Sequence, residues 1–266
     1  MKHTVTIASR ELRSLFVSPV AYVVLTLWSV IAGTFFLASL IGFQERLIQL
    51  QQYQMIQQLE QLNLNDELIE PFIGSMWVIL LFLLPAVTMG LVSSEKANGT
   101  DELLMTSPIS IWDIVFGKFL AGAGFVTVMT AIVAFFPALL FYYGEPELGR
   151  TVSGVVCLLL VSMTYVAVGV FASSVTRNQL IAFMLTLVLL VMLGMMLPFI
   201  VQITTAGSGL GPDSGVVKVV GWMATGSHVD RMLQGLIDTG DLAYFAIATG
   251  AFLLLSKTAI ESARWR

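Results

Sequence analysis

The hydrophobic pattern along the chain is one of long uninterrupted apolar runs separated by short polar segments. Residues 19–43, 72–92, 119–143, 152–175, 180–203 and 242–259 form six such runs, each of the length, about 17–25 residues, that a helix needs to cross hydrocarbon. None alternates apolar and polar positions as the strand of a membrane barrel does. Backbone amides in lipid must be bonded internally, so each run predicts a helix. Pro85 predicts a kink in the second run, and Pro137 and Pro198 fall near the ends of the third and fifth. The first run is too long for a signal sequence and no small-residue cleavage pattern follows it, so it reads as an uncleaved span. The expectation is a single all-α transmembrane domain over residues 1–266.

The polar segments carry their own patterns. Before the first run, Val5, Leu12, Leu15 and Phe16 can share one helical side, with Arg10, Glu11 and Arg13 beside it. This predicts an amphipathic elbow helix in the headgroup plane that turns upward at Ser18-Pro19. After that run, Leu47, Leu50, Tyr53, Ile56, Leu59 and Leu62 recur every three residues, which predicts that the first span continues outward as an amphipathic helix. Between the second and third runs, Gly99 can end one helix because it tolerates positive φ. Thr100 then reads as an N-cap, with Asp101 and Glu102 in a dipole-favoured first turn. Leu103 and Leu104 give that short helix an apolar side, and Pro108 prevents its continuation. Ser110-Ile111-Trp112-Asp113 has the form of a capping box that starts the next helix. In the last loop, residues 216–223 and 229–237 read as short helices lying on the membrane surface.

Charge then orients the spans. Lys2, Arg10, Arg13, Lys96, Lys118, Arg177, Lys257, Arg264 and Arg266 fall on one side, against Arg46, Arg150, Lys218 and Arg231 on the other. The positive-inside rule puts the first set, and with it both termini, in the cytoplasm. Only 11% of residues are charged against 57% apolar, where a soluble domain carries about 25% charged. A net charge of −4 gives no reason to expect nucleic acid as a partner.

Much chemistry is absent from the sequence. No Gly-x-x-x-x-Gly-Lys-Ser/Thr segment exists to cradle ATP phosphates, and residues 207–211 lack its context. His3 and His228 are the two histidines, and Ser227, His228 and Asp230 are adjacent in sequence without the convergence that catalysis needs. The single Cys157 excludes an internal disulfide. Met184, Met192, Met195 and Met196 read as packing or lipid contacts. Glu95, Lys118, Arg177 and Lys257 sit at span ends where they can snorkel. The spans carry no mid-membrane charge to bind a coupling ion. An uphill transporter of this composition must take its energy from another chain. Gly117, Ala121, Gly122, Gly124, Gly154 and Gly169 allow close helix contact, within the chain or at a seam between chains.

Several of these segments resemble the ABC-2 type permeases, the membrane subunits of ATP-binding-cassette exporters. The likeness spans nearly the whole chain. It includes Arg10-Glu11-Leu12-Arg13 with Phe16 and Ser18-Pro19, then Pro85 and Thr88-Met89. Its most specific part is Glu95-Lys96, Gly99-Thr100, Glu102-Leu103-Leu104, Thr106-Ser107-Pro108-Ile109 and Gly117-Lys118. Ser227-His228, Gly235, Ile237-Asp238, Asp241 and Tyr244 resemble the family's last outer loop. Gly90 departs from the pattern, since relatives often carry a basic residue there. Within the family the chain is most similar to gliding-motility-associated permeases and to those of nitrous-oxide-reductase maturation.

The resemblance implies a six-span subunit of the bacterial inner membrane that is not itself an enzyme and binds no cofactor. ATP would be bound by a cytoplasmic ATPase dimer, and a second permease copy or paralogue would complete the pore. A periplasmic auxiliary subunit is a further candidate partner. The implied ATPase-coupling residues are Glu95, Lys96, Gly99, Thr100, Asp101, Glu102, Leu103, Leu104, Thr106, Pro108, Ile109 and Lys118. Arg10, Glu11, Arg13, Phe16 and Pro19 would belong to the elbow. An anchoring or transducing subunit of the same fold and an ion-coupled carrier are the alternatives.

Overall fold

The computed structural model describes residues 2–55, 57–58, 62–100, 109–207 and 214–264. Among these there are helices and no strands. In chain order they are α1 (Lys2–Val17), α2 (Pro19–Gln52), α3 (Glu70–Thr88), α4 (Gly90–Ala97), α5 (Ile111–Tyr143), α6 (Leu148–Val175), α7 (Gln179–Val191), α8 (Leu197–Gly207), α9 (Gly215–Met223), α10 (Thr225–Leu233) and α11 (Thr239–Arg264). π-helical turns at Asn65–Ile69 and Met192–Met196 lead into α3 and α8.

Six helical stretches are long and apolar enough to cross a membrane: Pro19–Gln52, Asn65–Ala97, Ile111–Tyr143, Leu148–Val175, Gln179–Thr205 and Thr239–Ser262. They outrun the apolar runs because hydrogen-bonded turns continue past the point where side chains become polar. Along its apolar stretch α6 is 67% buried, against 17% for α2 and 22% for α7 with α8. α6 is therefore the central post, and α2 and α7 are peripheral.

Local sequence chemistry sets several helix ends. Ser18 caps α2, its hydroxyl accepting from the Val20 N–H at 3.3 Å, and Pro19 occupies the first turn. Ser110 caps α5 in the same way through Trp112. Asp113, the expected return half of that box, instead accepts a hydrogen bond from the Thr4 hydroxyl. The amphipathic extension of the first span stops earlier than its stripe. Leu50 is buried, but Tyr53 caps the helix while 71% exposed, and Gln54 takes φ +53°. Ile56 and Leu59 lie outside the described residues.

Close packing accounts for the small residues. A Cβ on Gly122 would lie 2.6 Å from Val166, one on Gly154 2.8 Å from Ile73, and one on Gly169 2.1 Å from the Thr88 hydroxyl. Gly117 and Gly124 face Ile7 and Leu12 of α1. These five glycines serve contacts inside this chain rather than a seam between chains. Phe36, Phe72 and Phe136 meet with ring centroids 5.3–5.9 Å apart and join α2, α3 and α5. The methionines at 184, 192, 195 and 196 are exposed on the outside of the bundle, as expected of lipid contacts.

Candidate functional site

The end of the bundle that carries both termini gathers the residues singled out from the sequence. α1 runs alongside the first turns of α5 in the same direction. Thr4 meets Asp113, Ile7 meets Gly117, Leu12 meets Gly124, and Phe16 meets Phe125 with centroids 5.7 Å apart. The inward stripe of α1 is Thr4, Ile7, Ala8, Glu11, Leu12, Leu15 and Phe16. Val5, expected on that side, lies at its margin and is 63% exposed. The apolar stripe packs on the first turns of α5, where Gly117 and Gly124 leave room for Ile7 and Leu12.

Four charged groups join α1, α4 and α5. Lys118 Nζ lies 2.8 Å from Glu95 Oε2 and 3.8 Å from Glu11 Oε1, and also donates to the Leu91 carbonyl. Arg10 Nη2 lies 2.8 Å from Glu11 and 3.6 Å from Glu95. The hydrogen bond that Arg10 donates to the Glu11 carboxylate is the largest influence holding its guanidinium above the ordinary pKa. Two cations and two carboxylates make the cluster neutral. The expected snorkelling of Glu95 and Lys118 is corrected here: the Lys118 side chain is 1% exposed and turns inward. A lysine this buried requires paired, hydrogen-bonded partners, and the carboxylates of α1 and α4 supply them. Lys257 does reach outward, to Glu261 at 3.0 Å and over the Trp112 ring. Arg177 is exposed.

A helix break sits just above this cluster. α3 and α4 are separated at Met89, which leaves the Val92 N–H without a helical acceptor. The Ser173 hydroxyl of α6 accepts from the Val92 and Ser93 N–H groups, at 3.0 and 2.9 Å, and donates to the Met89 carbonyl at 2.8 Å. The adjacent Lys96 ammonium donates to the Ser174 carbonyl. α4 is thus a short rigid segment with its own attachments to α5 and α6.

Gly99 ends α4 at φ +68°, as expected. The Thr100 N–H and hydroxyl both donate to the Glu95 carbonyl, at 3.0 and 3.2 Å, so this residue closes the preceding helix. Asp101, Glu102, Leu103, Leu104, Thr106 and Pro108 lie outside the described residues. Ile109 is half-buried beside the Ser110 cap. Ser173 and Thr4 carried no motif in the sequence; their roles depend on which helices lie next to them.

The opposite end holds a second buried polar group. The helix expected on the membrane surface over residues 229–237 instead runs over Thr225–Leu233 as α10, and its Thr225, Gly226, His228, Val229, Met232 and Leu233 are all buried. Ser153 of α6 donates to the Met232 carbonyl at 2.6 Å. Pro198 has no N–H for the Gly194 carbonyl in the π turn, and Gly226 packs against that oxygen, where an added Cβ would lie 3.1 Å away. His228 pairs with Asp241 of α11 at 2.6 Å rather than with Asp230, while Ser227 donates to carbonyls of its own turn. Among the described residues, the hydrogen-bond partners of His228 are Asp241, the Trp222 carbonyl and Arg231, none of them a nucleophile.

The sequence model of a family described as ABC-2 family transporter protein matches residues 5–260. No curated protein matches the chain.

Proposed function

Because this chain belongs to the ABC-2 family of transporter proteins, we propose that it is the permease subunit of an exporter in the bacterial inner membrane, driven by a separate cytoplasmic ATPase dimer. The termini and the Arg10–Glu11–Glu95–Lys118 cluster face the cytoplasm, as the lysine and arginine bias favours. The segment from Glu95 to Ile109 with Lys118 is the ATPase-coupling element, and α1 is its companion. A second copy or paralogue completes the transporter. The motifs at residues 95–109 and 227–244 favour the gliding-motility and nitrous-oxide-reductase-maturation branch of the family.

The observation that carries the coupling assignment is the neutral ion cluster. It fastens α1, the helix leading into residues 101–108, and the third span to one another. A push delivered at residues 101–108 would reach α5 through Glu95 and Lys118 rather than dissipate in a loose loop. A docked rigid element supplies the differential contact that a driven conformational change requires. The Met89 break gives the same element a place to pivot.

The test is reconstitution with a soluble ATPase that co-purifies with the chain. The pair should hydrolyse ATP in proteoliposomes and the permease alone should not. Glu102→Arg should preserve permease folding and abolish stimulated hydrolysis. Uphill transport by the lone chain would refute the reading. A stable complex that turns over ATP and moves no solute would favour the transducing subunit instead.

A further inference from the structure

The face of α1 turned away from α5 carries a charge that the ion cluster leaves unbalanced. Thr6, Arg10, Arg13 and Val17, spaced by four, three and four residues, share that face. Arg13 and Val17 are exposed, and so is 61% of the Arg10 side chain. Arg10 reaches Glu11 and Glu95 through Nη2, and Lys118 takes the same two carboxylates. Arg13 enters none of these pairs and meets no carboxylate among the described residues. Two guanidinium groups one helical turn apart repel each other and favour a shared anion.

The height of Arg13 along the bundle decides which anion. α1 and α2 run along the same side of α5: Leu12 lies against Gly124, Phe16 against Phe125, and the Trp28 indole donates to the Met129 carbonyl at 2.9 Å. Gly124 is already inside the apolar run 119–143. Arg13, next to Leu12, is therefore level with apolar residues of the third span and looks sideways, away from α5. Counted from Pro19 it lies six residues before the first span, about 9 Å along a helix. The headgroup layer beside the hydrocarbon is about 5–8 Å deep. An arginine at that height on a lipid-facing side turns its guanidinium to the headgroups. Its planar fork matches a phosphate with two hydrogen bonds. On the side toward the bilayer centre, Val17 and Val20 are 73% and 66% exposed and offer acyl chains an apolar surface.

We propose that Arg13, with Arg10 one turn nearer the N-terminus, binds the phosphate of an anionic phospholipid whose chains lie over Val17 and Val20. The lipid becomes an outer member of the cluster that joins α1 to α4 and α5. Arg10 lies 3.6 Å from Glu95, the longer of its two contacts, so a phosphate beside it competes first with that carboxylate. Glu95 is then left to Lys118, and the anionic lipid content of the bilayer sets how firmly α1 holds α4. A soluble ATPase would approach residues 95–109 at the end of the bundle, whereas Arg13 stands beside the third span. The site needs only a bilayer around the spans, so it stands or falls separately from the ATPase assignment.

The test places the full chain in micelles with equal amounts of phosphatidylglycerol and phosphatidylcholine of the same acyl chains. Native mass spectrometry counts the lipid retained. The wild type should prefer phosphatidylglycerol. Arg13→Gln should lower that preference about fivefold, the effect of one arginine near an anionic headgroup, and Arg13→Lys should keep most of it. Arg46→Gln and Arg177→Gln, at exposed arginines elsewhere, should leave it unchanged. Excess free glycerophosphate should not displace the lipid. In parallel, Val17→Cys in a Cys157→Ser background carries a bimane fluorophore in nanodiscs. Brominated phosphatidylglycerol should quench it more than brominated phosphatidylcholine at the same mole fraction, and Arg13→Gln should abolish the difference. An equal loss from Arg177→Gln would reduce the effect to general charge attraction and overturn the proposal. So would displacement by glycerophosphate, or equal quenching by the two lipids. An Arg13→Gln chain that keeps its lipid but releases the ATPase or a second copy would make this face a protein interface, and would overturn the proposal too.

Discussion

The Lys118 ammonium and the Glu95 carboxylate form a 2.8 Å ion pair in which the lysine is 1% exposed. Buried pairs of this kind are costly to break from one side and cheap to replace from both. Lys118→Met should lower stability by about 3–5 kcal/mol, because Glu95 and Glu11 lose their buried cation. Adding Glu95→Gln and Glu11→Gln should recover most of the loss. Thermal unfolding in detergent, run on the single and triple variants, checks the direction. If the triple variant were no more stable than Lys118→Met, the charge argument would fail.

Ser173 serves two N–H donors and one carbonyl at the Met89 break. Ser173→Ala should leave the buried Val92 amide unpaired and cost about 1–3 kcal/mol. Amide exchange should accelerate at Val92 and Ser93 before it does elsewhere in α3 and α4. Uniform acceleration along both helices would contradict the local role.

Gly117 admits Ile7, and an added Cβ would lie 2.6 Å from the Ile7 side chain and 3.3 Å from the Thr4 carbonyl oxygen. Gly117→Ala should displace α1 from α5 and cost about 1–3 kcal/mol through overpacking. Ile7→Ala in the same chain should restore part of it, because the clash lies chiefly with that side chain. Protease access to α1 is a suitable readout, with faster cleavage expected in the single variant than in the double.

Burial raises the Asp230 carboxyl above its ordinary pKa. The folded chain therefore holds that proton more readily than the unfolded chain, and ionisation of Asp230 opposes folding. Stability from this group increases as pH falls through its folded-state value, and the gain is complete below the unfolded one. Asp230→Asn should stabilise the protein at neutral pH and change little in acid. Melting temperatures measured at both conditions, with equal shifts in each, would count against the assignment.

What the sequence made legible was local or compositional. The Ser18-Pro19 turn, the Ser110 cap and the Gly99 stop each depend on a few neighbouring backbone groups, and each is found where expected. The six membrane-length helices follow from apolar runs that have no other way to satisfy their amides in lipid. What was hidden depends on lateral neighbours. Lys118 looked like a snorkelling end residue until α1 and α4 brought Glu11 and Glu95 to it. His228 and Asp241 were noticed as part of a resemblance, but nothing in their spacing told that they would meet. The stripe from Leu47 to Leu62 promised that the first span's helix would run past Gln52, where it ends, because a period of three drifts around a 3.6-residue turn.

The glycines have a consequence for assembly. Those at 117, 122, 124, 154 and 169 each receive a side chain of their own polypeptide. The outward faces of α2 and α7 instead present Val20, Val23, Leu27, Val30, Leu180, Ile181, Met184 and Val188. A neighbouring subunit seated there would meet a ridge of branched aliphatic side chains and not a smooth notch of backbone. The valines and isoleucine in that ridge keep one rotamer in a helix, so such a joint would hold its partner at a fixed stand-off rather than at the close crossing that glycines allow.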